Sequence, residues 1–138
     1  MTSIETPAIS QIAELLASKG HEVTEAGEGV IRVRDMETGI TFRAALSGNI
    51  LFMTVNLETC PTASITLEMM RKMLDARNGI STSSFQLYDM GDERTAITLN
   101  NFCTLQNMGE EDNDDILSLV GYLMADLMAA RELLEPGA

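Results

Sequence analysis

Tryptophan is absent from this sequence, and aromatic residues make up only 4% of its 138 residues. The apolar fraction of 45% is therefore carried mainly by aliphatic residues and ten methionines, which indicates a soft and adaptable core. Cysteine is also scarce. Cys60 and Cys103 lie far apart and form no CxxC pair, so we interpret both as small buried apolar residues in a reducing compartment.

Basic residues are few: nine Lys and Arg stand against 21 Asp and Glu, which gives a formal net charge of -12. A chain this acidic repels phosphate backbones and anionic lipid, so we expect neither nucleic acid nor membrane as a partner. The longest apolar segment, residues 116–134, contains Asp126, Arg131 and Glu132, which disfavours a bilayer span. The first five residues lack the features of a signal peptide, so we expect a cytoplasmic protein.

Recognisable catalytic and cofactor motifs are also missing, since the sequence has no GxSxG, GxxxxGK or GxGxxG. His21 is the one histidine, and no nucleophile accompanies it in sequence, so we interpret it as an ordinary surface or loop residue. A pocket of scattered carboxylates remains conceivable, although a solvated face is the expected role of Glu14, Glu22, Glu25, Asp89 and Asp92. We expect a protein that is not an enzyme and uses no cofactor.

An acidic run, Glu110-Glu111-Asp112-Asn113-Asp114-Asp115, leads into the final apolar segment. These carboxylates could in principle bind calcium or magnesium. However, the run lacks the alternating ligands, the central Gly and the terminal Glu of an EF-hand loop. Carboxylates at a helix start accept hydrogen bonds from unsatisfied N–H groups and favour the positive end of the helix dipole. We therefore predict a helix start and no metal site.

The spacing of apolar residues predicts the order of elements. A first helix begins at Thr6-Pro7 and stops at Gly20, and alternation from Glu22 to Leu57 predicts a meander of three or four strands. A second helix, capped by Ser64, ends at Asn78-Gly79 and carries Leu67, Met70, Met73 and Leu74 along one side. A hairpin over 84–90 and 95–103 and a last helix follow. The order α-β-β-β(-β)-α-β-β-α predicts one α+β domain, residues 1–138, in which helices cover one face of an antiparallel sheet built from the meander and the hairpin.

The last helix has more apolar surface than one core requires. Its central stripe consists of Ile116, Leu119, Val120, Leu123, Leu127, Ala130 and Leu134. Leu117, Met124 and Met128 widen this stripe on one side, and Tyr122 and Leu133 widen it on the other. The apolar arc then spans roughly 240°, against about 100° for a half-buried surface helix. Either the helix is simply central, or these five flanking residues form a homodimer seam or a groove for another protein.

The element order resembles the type III secretion chaperone-like fold over nearly the whole chain. Three segments are also similar to the YjfI-like family of uncharacterised bacterial proteins: Met70-Arg71-Lys72-Met73-Leu74, Ser83-Ser84-Phe85-Gln86-Leu87 and Ala96-Ile97-Thr98-Leu99-Asn100. That family implies no established activity and no functional residues. The chaperone-like fold implies a dimer that holds extended segments of another chain, although secretion itself does not follow from it.

These observations favour a non-enzymatic protein-binding module, chaperone-like or regulatory, that binds a protein partner or forms a homodimer through apolar patches. The alternative is a small-ligand sensor with a pocket between the sheet and the helices. Its plausible lining is Phe42, Met53, Met73 and Phe85. Sequence alone does not identify the partner, the binding face or the symmetry of an oligomer.

Overall fold

A computed structural model describes residues 8–135, so the predicted cap at Thr6 and Pro7 lies outside it. Helix α1 (Ile9–Ser18) follows Ala8, whose backbone N–H donates to Gln11 Oε1 at 2.9 Å. Ile12 and Leu16, one helical turn apart, are fully buried. The predicted stop is confirmed, since Gly20 adopts a φ of 93°, a conformation that favours glycine.

The predicted meander of three or four strands is confirmed and has four. These are β1 (Glu22–Gly27), β2 (Val30–Arg34), β3 (Thr41–Ser47) and β4 (Ile50–Pro61). Each strand pairs antiparallel with the next, and α1 contacts β1 and β2. Strand β4 reaches Pro61 as its last residue, as expected of a residue that cannot donate to the next rung of a ladder.

Helix α2 (Leu67–Leu74) differs from the predicted second helix in its N-terminal cap and in its last residue. Its cap is Thr66, whose Oγ1 accepts from Met69 N at 3.1 Å, because Ser64 belongs to the preceding 3₁₀ turn (Thr62–Ser64). The helix ends at Leu74, four residues early, because Asp75 is already extended and its carboxylate accepts from Arg77 N.

The apolar side predicted for α2 is confirmed for Met73 and wrong for the two leucines. Leu67 and Leu74 are 64% and 82% exposed, whereas Met73 is buried. Met69 lies one turn before Met73 and packs with it against Cys60 and Ile97. A helix of only eight residues buries this Met face and leaves both leucines in water.

Strands β5 (Ser84–Gly91) and β6 (Arg94–Thr104) form the predicted hairpin. Asp92 and Glu93 connect them with φ values of 52° and 60°, as in the type I′ turns that match the twist of paired strands. The six strands lie in the order β1-β2-β3-β4-β6-β5, and helix α3 (Glu110–Leu133) follows. The predicted α+β class, with a meander and a hairpin in one antiparallel sheet, is confirmed.

The residues fall into two compact units. Unit 1 contains the residues up to Thr54 and Phe102–Val120, and unit 2 contains Val55–Asn101 and the residues from Gly121 onward. In unit 1 the largest fully buried side chains are Ile12, Leu16, Val33, Phe42, Leu51, Met53, Leu105 and Ile116. In unit 2 they are Ile97, Leu99, Leu123 and Leu127. The prediction of a single domain over residues 1–138 stays a prediction.

Two buried carboxylates of α3 each bind a loop within their own unit. Asp112, which is 3% exposed, accepts at Oδ2 from the backbone N–H groups of Gln106, Asn107 and Met108 at 2.7–2.9 Å. The predicted helix start at the acidic run is confirmed. The run forms the first turns of α3, and its one buried carboxylate satisfies the preceding loop rather than its own helix.

Asp126 in unit 2 makes the second of these contacts. Its carboxylate accepts from the backbone N–H groups of Ser81, Thr82 and Ser83 at 2.9–3.2 Å and from the Ser81 hydroxyl at 3.0 Å. Burial raises the pKa of Asp126, but the hydrogen bonds from Ser81 and Thr82 outweigh it and hold the pKa below its ordinary value. This contact explains why a carboxylate interrupts the apolar stripe of α3.

We predict that Asp126→Asn lowers the free energy of unfolding by about 2–3 kcal/mol, because the amide leaves buried N–H donors without a charged acceptor. Since the folded pKa is depressed, the contribution of Asp126 is present above the ordinary value of 3.8 and is lost as pH falls through the folded pKa. Urea unfolding between pH 7 and pH 3 measures the free energy of unfolding of the variant and of wild type. The difference between the two proteins should become smaller as the pH falls.

The matched control is Asp114→Asn, which removes an exposed carboxylate from the same helix. It changes stability by less than about 1 kcal/mol. A loss for Asp126→Asn that equals this control at every pH would contradict the described role of Asp126.

Candidate functional site

The five predicted flanking residues of α3 are not equally accessible. Tyr122 and Met128 are 50% and 43% exposed, whereas Leu117, Met124 and Leu133 are half-buried. The predicted central stripe is buried from Ile116 to Ala130, and only Leu134 at its end is half-buried. Tyr122 and Met128 lie on opposite flanks of that stripe, about 120° apart around the helix axis. Their use as a partner or dimer surface stays a prediction.

The residues predicted to line a ligand pocket belong to the core instead. Phe42, Met53 and Met73 are 1%, 0% and 5% exposed. Phe85 is partly buried and packs on the cluster of Cys60, Met73 and Ile97. These side chains fill space that a ligand would need, so this proposed lining is wrong.

A different concavity lies in unit 1, between α1 and the β1–β2 hairpin. This groove has a volume of about 730 Å³ and is open to solvent. Its apolar lining includes Ile9, Ala13 and Ile31, and its acidic lining is Glu14, Glu25 and Glu28. Two of the scattered carboxylates, Glu14 and Glu25, thus share one groove, and the sequence offered no signal for that grouping.

His21 lies in the loop between α1 and β1, in line with the predicted surface or loop position, but it is not at the surface. Its side chain is 15% exposed, and its Nδ1 lies 3.5 Å from Asp35 Oδ1. The pairing of β1 with β2 explains this position, because Glu22 lies opposite Arg34 and the preceding His21 is thereby brought beside Asp35. The Thr38 hydroxyl donates to Asp35 Oδ2 at 2.6 Å and is the main reason why the pKa of Asp35 lies below its ordinary value.

The two cysteines are free thiols. Cys60 is buried, as predicted, and Cys103 is half-buried. Burial, with the nearby charges of Asp115 and Asp112, raises the pKa of the Cys103 thiol to about 11. Cys103 is therefore protonated at neutral pH, a state that disfavours attack on a substrate. Within residues 8–135, no three His, Cys, Asp or Glu side chains group closely enough to hold a metal ion.

The site with the clearest chemistry is the solvent-facing side of the sheet in unit 1. Side chains directly opposite each other in an antiparallel pair lie on the same face. The register therefore places Thr24, Arg32, Arg43 and Thr54 in one row across β1 to β4. Val30, Ala45 and Phe52 form the next row. We call the exposed residues Arg32, Arg34, Arg43, Phe52 and Phe102 the Arg–Phe face.

Among residues 8–135, the arginines of this face have no ionic partner. Arg32 and Arg43 stand directly opposite each other, an arrangement that destabilises a sheet when the charges are alike. Arg34 stands opposite Glu22 without an ion pair. The ion pairs among residues 8–135 join other groups, His21 with Asp35 and Arg77 with Asp75. Three of the nine basic residues of this strongly acidic chain thus lie close together, and no carboxylate among the described residues pairs with them.

Two aromatic rings adjoin the arginines. Phe52 is 42% exposed and Phe102 is 65% exposed, and their ring centroids are 6.0 Å apart with a tilt of 40°. Phe52 is the diagonal neighbour of Arg43, roughly 7–8 Å away on the same face. The face thereby offers cationic groups beside an apolar platform, a combination that is common at binding surfaces.

Sequence reasoning missed this site although a signal was present. The alternation from Glu22 to Leu57, which includes Val30-Ile31-Arg32-Val33-Arg34 and Ile40-Thr41-Phe42-Arg43-Ala44, predicted only the strands of the meander. In both, every outward position that follows the first is an arginine. The total charge of -12 concealed a local cluster of the opposite sign.

We predict that Arg43→Glu stabilises the fold by roughly 0.2–1 kcal/mol, because it replaces a like-charge pair opposite Arg32 with a favourable cross-strand pair. Arg43→Gln should fall between wild type and Arg43→Glu. Chemical unfolding at low salt measures the order of the three proteins. A less stable Arg43→Glu protein would mean that interactions within the chain already stabilise Arg43.

Known proteins resemble this chain in structure, whereas no match is found at the level of sequence. No family model matches the chain, and no curated protein matches it, so membership of the YjfI-like family stays a prediction. Among solved structures, the chain is similar to "YbjN, a putative transcription regulator from E. coli", with a TM-score of 0.69 and 15% identity. The match covers 94% of this chain and 95% of that one. In the part of the chain from residue 8 to residue 135, no helix is long and apolar enough to cross a membrane. At this identity the comparison shows the fold: the chain has the α+β fold of YbjN.

Proposed function

We propose that this protein is a non-enzymatic protein-binding module, chaperone-like or regulatory, that acts in the cytoplasm and binds its partner on the Arg–Phe face. One observation carries the proposal. Two of the four phenylalanines in the chain, Phe52 and Phe102, lie side by side in water rather than in the core. Exposed aromatic pairs are costly for a free protein and are typical of the centres of interfaces.

Other features support a binding role over an enzymatic one. The Cys103 thiol is protonated at neutral pH, and His21 faces a carboxylate that is already bound by Thr38. The uncompensated arginines add charged hydrogen-bond donors on neighbouring strands of the sheet. The description of YbjN as a putative regulator fits the regulatory form of the proposal.

A homodimer is a second part of the proposal. Its seam would use the flanks of α3, where Tyr122 and Met128 are exposed. The Arg–Phe face itself is a poor seam for a two-fold dimer. Such an interface packs the same patch of both subunits together, so it would bring like-charged arginines of two copies together. The dimer and the binding of a partner therefore use different surfaces.

We predict that the purified chain binds a subset of an unbiased library of extended peptides, and that the double variant Phe52→Ser/Phe102→Ser binds them about tenfold more weakly. Loss of two stacked aromatic contacts accounts for an effect of this size. Peptide-array binding followed by fluorescence anisotropy measures the affinities.

The matched control is Leu74→Ser, which removes an apolar side chain that is 82% exposed on α2 in unit 2. Its affinities should equal those of wild type. Circular dichroism and light scattering establish that all three proteins have the same fold and mass. Unchanged affinity in the phenylalanine variant, or equal loss in the control, would remove the Arg–Phe face as the binding site.

A small-ligand sensor is the second candidate, and the groove between α1 and the β1–β2 hairpin favours it. Its three carboxylates beside an apolar floor suit a small amphipathic cation. We predict that such a compound raises the melting temperature of wild type but not of the variant Glu14→Gln/Glu25→Gln. A screen of small cations without any shift in wild type would count against the sensor.

A further inference from the structure

We infer that the partner segment bound by the Arg–Phe face is acidic: an extended stretch of protein that carries carboxylates for the arginines and an apolar side chain for the phenylalanines. This inference rests on the proposed function and specifies its ligand. It depends on the positions of Arg32 and Arg43 and on their positive charge, which no carboxylate among the described residues neutralises.

The arrangement of the guanidinium groups matches carboxylates. Arg32 and Arg43 lie opposite each other on neighbouring strands, and Arg34 lies two residues further along β2 on the same face. A guanidinium donates two parallel hydrogen bonds to a carboxylate. A carboxylate placed between Arg32 and Arg43 therefore attracts both guanidinium groups and offsets their mutual repulsion. Among the described residues of the free chain, no carboxylate makes this contact.

The aromatic pair sets the second requirement. Phe52 lies in the row next to Arg43, and Phe102 extends the apolar area beyond it. Residues two apart in an extended segment lie on the same side at about 6.6–6.8 Å, close to the diagonal distance of roughly 7–8 Å between Arg43 and Phe52. One carboxylate and one apolar side chain, two residues apart in the partner, thus reach both parts of the face.

A protein segment suits this face better than a nucleic acid. Single-stranded nucleic acids are bound by a positive groove that follows their backbone over several nucleotides. Here the positive charge is limited to three arginines, and the chain around them carries a net charge of -12, which repels a longer polyanion. A segment with two or three carboxylates matches the cluster without extending over the acidic surface.

The test uses the full chain and three labelled twelve-residue peptides that share the same apolar residues and differ only in charge. One peptide carries Asp and Glu, one carries Ser and Gln, and one carries Lys. We expect fluorescence anisotropy at low salt to show the acidic peptide binding at least about tenfold more tightly than the neutral one. The difference should shrink as salt is added, because the arginines are exposed.

Variants assign the effect to the face. Arg32→Gln/Arg43→Gln should abolish the preference for the acidic peptide, so that the acidic and neutral peptides bind this variant with equal affinity. The control Arg77→Gln removes a guanidinium whose side chain is 93% exposed in unit 2, and it should have no effect. Circular dichroism confirms that each variant is folded.

Several outcomes would overturn the inference. Equal affinity for the acidic and neutral peptides would refute the acidic partner and leave the proposed binding module intact, whereas no binding of any peptide would refute both. A single-stranded oligonucleotide that binds more tightly than the acidic peptide, and only with Arg32 and Arg43 present, would reassign the face to nucleic acid. A mass that falls in the Arg32→Gln/Arg43→Gln protein would mean that the face binds a second copy of the chain.

Discussion

Strand β2, residues 41–44 of β3 and the start of β4 alternate buried residues with more exposed ones, and this one-sided burial determines which side chains of unit 1 face solvent. Ile31, Val33, Phe42, Ala44, Leu51 and Met53 are all buried. Because successive side chains of a strand point to opposite faces, fixing these residues inside also fixes the arginines and Phe52 outside. A shift of the strand register by one residue would turn Arg32 and Arg43 toward the core. The buried residues therefore determine which side chains lie on the exposed face.

The charged groups of the exposed face and the buried carboxylates of α3 differ in how they are compensated. Asp112 and Asp126 are buried charges, and each is satisfied by three successive backbone N–H groups. Arg32 and Arg43 are exposed charges without such partners. A chain that compensates its buried carboxylates fully, yet leaves its arginines opposite one another, retains an arrangement that lowers stability. Functional surfaces are where such local conflicts are expected.

The sequence predicted most of the fold because its apolar periodicity is regular. The meander, the hairpin and the buried stripe of α3 from Ile116 to Ala130 follow directly from spacing. Ser64 was the wrong cap because Thr66, two residues on, has the same capping chemistry. The position of His21 and the function of Asp126 depend on contacts with residues distant in sequence, which local patterns do not encode. The Arg–Phe face could not be predicted from local patterns because it depends on strand register. Arg32, for example, lies opposite Arg43 on the neighbouring strand, 11 residues away in sequence.

The central claim is that the open sheet of unit 1, and not the last helix, contacts the partner. Nuclear magnetic resonance tests this most directly, by following the side-chain Nε–Hε signals of arginine and the backbone amide signals during titration with an acidic peptide. The account predicts that the signals of Arg32, Arg34 and Arg43 and the amides of Phe52 and Phe102 move together and saturate, while that of Arg77 stays fixed. Shifts confined to the amides of Tyr122 and Met128 on α3 would contradict it.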